Sequence, residues 1–361
     1  MLFVSYAGGS GGAERLLLDQ AAAIEGPVAL ACPAGPLAER ARLQGLLVIA
    51  LRERKPQARG STGKRLAAAA RLAAQSREVR RAVTDLRPRC VVAWSMRGLL
   101  STTAALTGLH GRPPLVFQHN DLLPSPAVAA AVRSAAGRAD RVVAASSAVA
   151  ADLDPGGRLA VDVIRPGVDL RRFSSTTLPE GPPEALLLGA IVEWKRPDLA
   201  LEAVATARTQ LPELRLRVVG TTLDAAGDSL GARLATRASA PDLAGAVDLH
   251  GSVENASSAL AAATCLLHCA DREPFGLALI EALASGRPVV APRSGGPLEI
   301  VDETCGRFYE PGDHSDAAFA LIDVVRRAHD LVAPARSRAE RLFDVERSRN
   351  RFGAMIEQVS S

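Results

Sequence analysis

Residues 273–301, EPFGLALIEALASGRPVVAPRSGGPLEIV, run as loop, helix, stop, strand, glycine turn and helix. Pro274, Phe275 and Gly276 make an irregular start, and Leu277 to Ala284 is a short run of good helix formers. Ser285-Gly286 supplies a left-handed stop, with Pro288 just beyond it. Val289-Val290-Ala291 then reads as a short strand of a buried parallel sheet. One residue is out of keeping. Glu281 is a single carboxylate in a helix otherwise apolar all round, and such helices are usually buried. A buried carboxylate is costly without partners. Glu273 lies in the loop before the helix, so both carboxylates could face one cleft at the helix N-terminus.

Free N–H groups at a helix N-terminus attract anions, and a glycine there lets the anion come close. A carboxylate one turn deeper cannot hold a phosphate. It can accept hydrogen bonds from paired hydroxyls such as those of a ribose. The stretch therefore suggests a phosphate at Gly276-Leu277, a ribose at Glu281 and a further polyol at Glu273. A competing reading pairs Glu281 with a buried arginine and leaves Glu273 solvated. The pattern E-P-F-G-L-x-x-x-E, then A-x-x-G-x-P-V-V-A and G-G-x-x-E, resembles the signature of the retaining GT-B glycosyltransferases. That is the family 4, or "glycosyl transferases group 1", type with its E-x7-E motif, which includes sucrose-phosphate and glycogen synthases and bacterial mannosyltransferases. The resemblance adds Pro274 and Phe275 to the donor contacts.

Composition sets the outer limits. The chain has 361 residues, 48% hydrophobic and 23% charged, enough for two globular domains. Aromatics are only 3%, so stacking platforms for single-stranded nucleic acid are scarce. No run approaches the roughly 18 apolar residues of a membrane span, and the first residues lack the look of a signal peptide. Five scattered cysteines favour reduced thiols over a disulfide framework. The expected location is cytoplasmic. The net charge of +4 is uneven, with 13 basic and three acidic residues between Arg52 and Arg97. Solvated helix faces account for this. A surface for anionic lipid, in peripheral contact with a membrane, or for an anionic acceptor also fits. No nucleic-acid motif accompanies the charge, so nucleic acid is not an expected partner.

Taken in order, the first half alternates strands and helices. Leu2–Tyr6 reads as a strand, residues 7–12 (AGGSGG) as a glycine loop, and Ala13–Ala23 as a helix. The spacing is not G-x-G-x-x-G and no acidic residue follows at the dinucleotide distance, which argues against a dehydrogenase. Further strands are expected at Val28–Cys32, Leu46–Leu51, Cys90–Trp94, Pro114–His119, Val142–Ser147 and Val161–Ile164. Helices are expected at Leu37–Gln44, Lys64–Leu86, Leu99–Thr107 and Ala148–Leu153, with a basic loop at Arg52–Gly63. This alternation means parallel βαβ units, whose ligands sit beyond the carboxyl ends of the strands. His119 stands at such an end. The family resemblance makes His119 a cleft residue near the transferred sugar, Asp121 an acceptor contact, and Gly11 and Gly12 neighbours of the donor phosphates.

RPGVDLRRF at 165–173 resembles the family's hinge, and the Ser/Thr/Pro-rich 174–183 reads as a linker. In the second half, GAIVEWKRPD at 189–198 aligns with the family's G-R-x-x-x-x-K turn, where arginine and lysine clamp the diphosphate. Lys195 fits, but Ala190 stands where the arginine is expected. Arg196 is the candidate to compensate. His250 and Gly251, ending the strand Val247–Gly251, are candidates for reading the nucleobase. Cys265, His268 and Cys269 fall on a strand whose alternation separates them, so no metal is expected. A turn-rich segment at 306–313 and helices at Ser315–His329, Ala333–Phe343 and Val345–Val359 complete the chain.

The expectation is an α/β protein of GT-B class with two Rossmann-like domains facing a cleft. They are 1–170 on the acceptor side and 171–344 for the nucleotide sugar, with 345–361 crossing back onto the first. The reaction implied is metal-independent, retaining transfer from a UDP-, GDP- or other NDP-sugar to a hydroxyl, on a lipid-linked acceptor or a small metabolite, with no cofactor. His119, Lys195 and Glu273 are the implied catalytic residues. A nucleotide-sugar epimerase of the same fold, or a binding protein weakened at Ala190, are the alternatives.

Overall fold

Short runs of valine, alanine and leucine between glycine and proline stops fold as the alternation expected. The computed structural model describes residues 1–9, 11–53, 62–222, 225–253 and 255–360. They form two units, Met1–Pro166 with Glu346–Ser361, and Gly167–Val345. In the first, β1 (Leu2–Val4), α1 (Gly12–Ala21), β2 (Ala29–Pro33), α2 (Pro36–Leu43), β3 (Leu47–Leu51) and α3 (Thr62–Leu86) come in turn. They are followed by β4 (Val91–Trp94), α4 (Ser95–Leu106), β5 (Leu115–His119), α5 (Pro126–Ala136), β6 (Arg141–Ala144), α6 (Ser147–Leu153) and β7 (Val161–Val163). The seven strands are parallel, in the order β3-β2-β1-β4-β5-β6-β7.

The second unit continues with β8 (Glu184–Leu188), α7 (Pro197–Ala207), β9 (Arg215–Val219), α8 (Ala225–Ala238), β10 (Val247–Gly251) and α9 (Ala256–Ala261). Then come β11 (Cys265–Leu267), α10 (Leu277–Ala284), β12 (Val289–Pro292), α11 (Pro297–Ile300), β13 (Gly306–Tyr309), α12 (His314–Arg326) and α13 (Ala328–Leu342). Its six parallel strands run β10-β9-β8-β11-β12-β13. The chain ends in α14 (Val345–Ser360), whose Phe352, Met355 and Ile356 are buried in the first unit's core; the Phe352 ring lies 6.3 Å from that of Phe3. Burying three such side chains contributes about 6 kcal/mol as an upper figure. The polar face of α14 holds on through Arg349, which donates to Asp19.

Several elements depart from the sequence reading. Helix α4 starts four residues earlier than expected, because Ser95 takes a left-handed φ of 71° and turns the chain straight out of β4. Gly98 makes this early start fit, since a Cβ there would lie 2.8 Å from the Val4 carbonyl oxygen. Helices α5 and α8 are not among the expected elements, although each has an apolar side: Ala129 and Val132 of α5 and Leu230 and Leu234 of α8 are buried. Strand β13 falls where a turn is expected, because it opens on Gly306, which lies so close to β12 that a Cβ would meet the Val289 oxygen at 2.1 Å. Of the basic loop expected at Arg52–Gly63, residues 54–61 lie outside the described residues, and Thr62 and Gly63 already belong to α3.

The supposed linker is tied down rather than free. Arg287 is fully buried, and it donates to the carbonyls of Thr176 and Thr177, to the Thr176 hydroxyl, and to Leu260 and Ala261 of α9. Burial pushes its pKa down, and its neutral partners are carbonyls and one hydroxyl.

Candidate functional site

In the second unit the site grows from the ends of β8, β11 and β12. After β8 the chain passes Gly189, at φ 148°, packed so tightly that a Cβ on Gly220 would meet its oxygen at 1.7 Å. A short 3-10 turn, Glu193–Lys195, follows, and Arg196 at φ 50° starts α7. The Trp194 carbonyl accepts from Asp271 N–H (2.9 Å), which fixes the turn against the chain after β11. Lys195 is thereby aimed inward. Its Nζ lies 2.5 Å from Glu273 Oε2 and 4.3 Å from the centre of the Trp194 ring. Arg196 takes a different course. It bonds Asp198 through Nε and one Nη, at 3.0–3.1 Å, and Asp271 at 3.2 Å. Its charge is balanced by two carboxylates, and at position 190 only a methyl group stands.

Glu273 is 7% exposed. Burial pushes its carboxyl pKa up, but His268 and the Lys195 ammonium outweigh that and bring it down to about 2. His268 Nε2 lies 3.2 Å from the same Oε2 that Lys195 holds. Burial lowers the His268 pKa, so the ring is neutral near pH 7. The glycine turn of 295–296 braces this loop from below: Gly296 N–H donates to the Glu273 carbonyl (2.9 Å). A Cβ on Gly296 would lie 2.3 Å from both Phe275 Cα and O, backbone atoms that cannot give way. Gly296→Ala is expected to lower the melting temperature by roughly 5–10 °C, as a clash costing about 2–3 kcal/mol does in a domain of this size. Thermal denaturation checks it, and an unchanged midpoint contradicts the bracing.

Helix α10 opens on Gly276, which sits at φ 113° with no side chain capping the first turn. Ser125, Ser146 and Asn255 cap α5, α6 and α9, whereas α1, α2, α4 and α7 start without a side-chain cap, as α10 does. Gly276, as the N-cap, offers no side-chain acceptor to the first N–H groups of α10, which suits an anion site. Glu281 is 4% exposed and lies one turn inside the helix. The buried arginine nearest in sequence, Arg287, bonds elsewhere, as described above. Phe275 points into the core, its ring 6.1 Å from Phe343 and edge-on to it, which leaves its backbone for the site. Pro274 and Leu277 are partly exposed at the same helix end. Further along the sheet, His250 is exposed, 3.4 Å from Asp248, and with Arg217 and Val253 it lines a cavity of about 260 Å³; Gly251 beside it has φ 76°.

In the first unit, His119 ends β5 fully buried, its ring 5.2 Å from that of Phe117. Neither ring nitrogen has a partner among the described residues, and neither do Trp94 Nε1 on β4, Gln118 Oε1 on β5 and Asn120 Nδ2 just after it. Such buried, unpaired groups are uncommon, and they gather here at the carboxyl ends of the strands. Asp121 is exposed, its Oδ1 accepting the Leu122 N–H. Gly11 caps α1 at an ordinary φ of −75°, so the glycine loop serves by lacking side chains rather than by positive φ; Gly12 is the first helical residue. Ser10 lies outside the described residues. A cavity of about 740 Å³ beside Thr103, Arg112 and Asp140 opens at the amino ends of β5 and β6, and none of the site residues above lines it.

Burial lowers the His119 pKa to about 4. A histidine held neutral in the fold but free to protonate when unfolded makes stability fall as pH drops through the window from about 6.5 to 4. Thermal melts between pH 7 and pH 4.5 should show this loss, up to about 3 kcal/mol, shrinking in His119→Leu. Equal pH slopes for the two proteins contradict it.

Two residues of the site escape the sequence reading. His268 is there only a dismissed metal ligand, and Trp194 is not singled out. Strand alternation shows His268 apart from the cysteines, but not that β11 stops at Leu267 and lets the next residues curl Glu273 back onto it. Among the described residues no three histidine, cysteine or carboxylate side chains group as a metal site.

Two parallel-sheet Rossmann-like domains, with a helix that starts on glycine beside a part-buried lysine–glutamate pair, define the class. The sequence places it further. Residues 10–172 match the family described as Glycosyltransferase Family 4, and residues 170–339 match Glycosyl transferases group 1. The chain belongs to the family 4 glycosyltransferases of GT-B fold. It is 35% identical over 221 residues to a D-inositol 3-phosphate glycosyltransferase of Nocardioides sp., covering 54% of this chain and 47% of that one. A second, from Catenulispora acidiphila, is 32% identical over 218 residues, 54% and 50% of the two chains. The chain thus spans about half the length of the curated relatives it matches. Among solved structures, Anabaena Alr3699/HepE in complex with UDP and glucose superposes with a TM-score of 0.84 at 23% identity, covering 100% and 99% of the chains. Sucrose-phosphate synthase from Thermosynechococcus elongatus gives 0.81 at 18% identity, with 99% and 98% covered. At these identities the likeness is one of fold.

Proposed function

We propose that this protein transfers a sugar from a nucleoside-diphosphate sugar to an acceptor hydroxyl, with retention of configuration and without a metal. The observation that carries the reading is one constellation: Lys195 and Glu273 paired beside the uncapped start of α10, with Glu281 buried one turn inside. The α10 amides and Lys195 take the diphosphate and steady the charge that develops as it leaves. Glu281 accepts from the ribose hydroxyls, and His250 with the Gly251 backbone lies on the nucleobase side. Glu273 is tied to Lys195, with His268 close by, so it orients sugar hydroxyls rather than attacking carbon. The departing phosphate accepts the acceptor's proton on the face it leaves, which yields retention. Most of the acceleration then comes from alignment and leaving-group stabilisation.

The first unit takes the acceptor, and His119 serves the transferred sugar. Its basic residues make an anionic lipid surface a fitting place for a lipid-linked acceptor. Among the described residues no helix is long and apolar enough to cross a membrane.

The test is incubation with UDP-glucose, UDP-N-acetylglucosamine and GDP-mannose, each with an acceptor panel that includes D-inositol 3-phosphate, the compound in the relatives' names. Diphosphate release that survives EDTA, with an α-linked product by NMR, is the expected result. A second reading, a nucleotide-sugar binder with little turnover, is favoured by Ala190 and by the engagement of Arg196 with Asp198 and Asp271. Thermal stabilisation by these nucleotides without diphosphate release would select it.

A further inference from the structure

The Lys195 ammonium has two close neighbours of different kind. Nζ lies 2.5 Å from Glu273 Oε2 and 4.3 Å from the centre of the Trp194 ring. A cation within about 6 Å of an aromatic centre is attracted by the ring's quadrupole, and tryptophan attracts it most strongly. The ring is carried by a braced turn. The Trp194 carbonyl accepts from Asp271 N–H (2.9 Å), Glu193 pairs with Arg233 of α8 (2.6 Å), and Arg196 bonds Asp198 and Asp271. The Glu273 main chain is pinned separately by Gly296 N–H. The lysine stem that runs between these supports is a flexible four-carbon chain.

We propose that Trp194 is a positioning residue for Lys195: its ring face and Glu273 Oε2 together hold the ammonium where it meets the diphosphate of the sugar nucleotide. This rests on the transferase reading of the same site. The diphosphate and Glu273 are both anions, so they compete for the ammonium. A lysine held by its carboxylate alone would follow whichever anion pulled harder, along the arc its stem allows. The neutral ring is no rival to the phosphate. It keeps its hold on the charge as the diphosphate draws it, and so shortens that arc. Arg196 cannot take this part, because its guanidinium is engaged by Asp198 and Asp271. Nucleotide affinity rests on α10 and Glu281, so the placing of Lys195 tells on kcat more than on KM. Trp194 acts through Lys195 and not on the reacting atoms.

Two measurements test this, and one needs no turnover. Labelling with 5-fluorotryptophan gives two 19F resonances, since the chain has two tryptophans. Trp194→Phe identifies the one from residue 194. Lys195→Met, of similar length but uncharged, is expected to move that resonance and leave the Trp94 one in place. An unmoved Trp194 resonance overturns the proposal, because the ring then does not feel the ammonium. The second measurement is a double-mutant cycle on kcat. The Trp194 ring is 44% exposed, so removing it leaves no cavity in the core. With UDP-glucose, UDP-N-acetylglucosamine or GDP-mannose, Trp194→Leu should lower kcat about tenfold and leave KM within about twofold. Trp194→Phe keeps a ring face and should lose less than about threefold. In the Lys195→Ala protein, Trp194→Leu should have almost no further effect. Equal losses for leucine and phenylalanine, the same loss with and without Lys195, or wild-type kcat in Trp194→Leu overturns the proposal. Should the wild type turn over none of the sugar nucleotides, the transferase reading fails, while the fluorine spectrum still judges the hold of the ring on Lys195.

Discussion

Lys195→Ala should lower kcat for sugar transfer by about 10²–10³, the usual loss when one fixed donor to a developing negative charge is removed. The geometry adds a second consequence. Lys195 is not a surface residue at a helix start. It is the partner of a carboxylate that is 7% exposed. Deleting it leaves Glu273 with the neutral His268 alone, and an uncompensated buried charge typically costs 3–5 kcal/mol. The variant should therefore melt lower as well as turn over slowly, and the Glu273 pKa should climb from about 2 towards the ordinary carboxyl range. The sequence alone gives no reason to expect the stability loss. The two effects separate in Lys195→Ala/Glu273→Gln, which removes both charges. Its melting temperature should return most of the way to wild type, while its activity stays low. Diphosphate release and thermal denaturation, measured on the same preparations, check both parts. Wild-type turnover in Lys195→Ala places the diphosphate contact elsewhere.

The second large effect is on affinity. Glu281→Ala should weaken nucleoside diphosphate binding by roughly 10- to 100-fold, since hydrogen bonds to a charged group contribute about 1.5–3 kcal/mol. The position explains the size. The carboxylate is inside a helix whose other residues are apolar, and α10 packs with β11, β12 and α13, so water offers little substitute. Glu281→Gln keeps the shape and one acceptor and should lose less. Inorganic pyrophosphate has no ribose and engages only the helix end and Lys195, so both variants should bind it as the wild type does.

How much of this is legible in the chain depends on how local the signal is. The α10 segment is written in adjacent residues: one acid among leucines and alanines, a glycine on each side, and a valine strand beyond. Its helix runs Leu277–Ala284 in the structure, as its residues indicate. The βαβ alternation is legible for the same reason, and the return of α14 follows from the one-sided placing of Phe352, Met355 and Ile356. Contacts made by packing are not written this way. The early start of α4 depends on a left-handed serine, a conformation that residue type does not announce. Arg287 looks like a natural counter-charge for Glu281, yet it bonds the carbonyls of α9 and of 176–177. The link between His268 and Glu273 arises where a strand ends and a loop curls back, which spacing cannot report.

The most direct test of the account is a calorimetric titration of UDP, GDP and pyrophosphate onto the wild type and Glu281→Ala. The account requires one of the nucleotides to bind the wild type and to lose at least tenfold in the variant, with pyrophosphate binding both alike. Equal nucleotide affinity in the two proteins would contradict it, and with it the assignment of α10 as the nucleotide-sugar site.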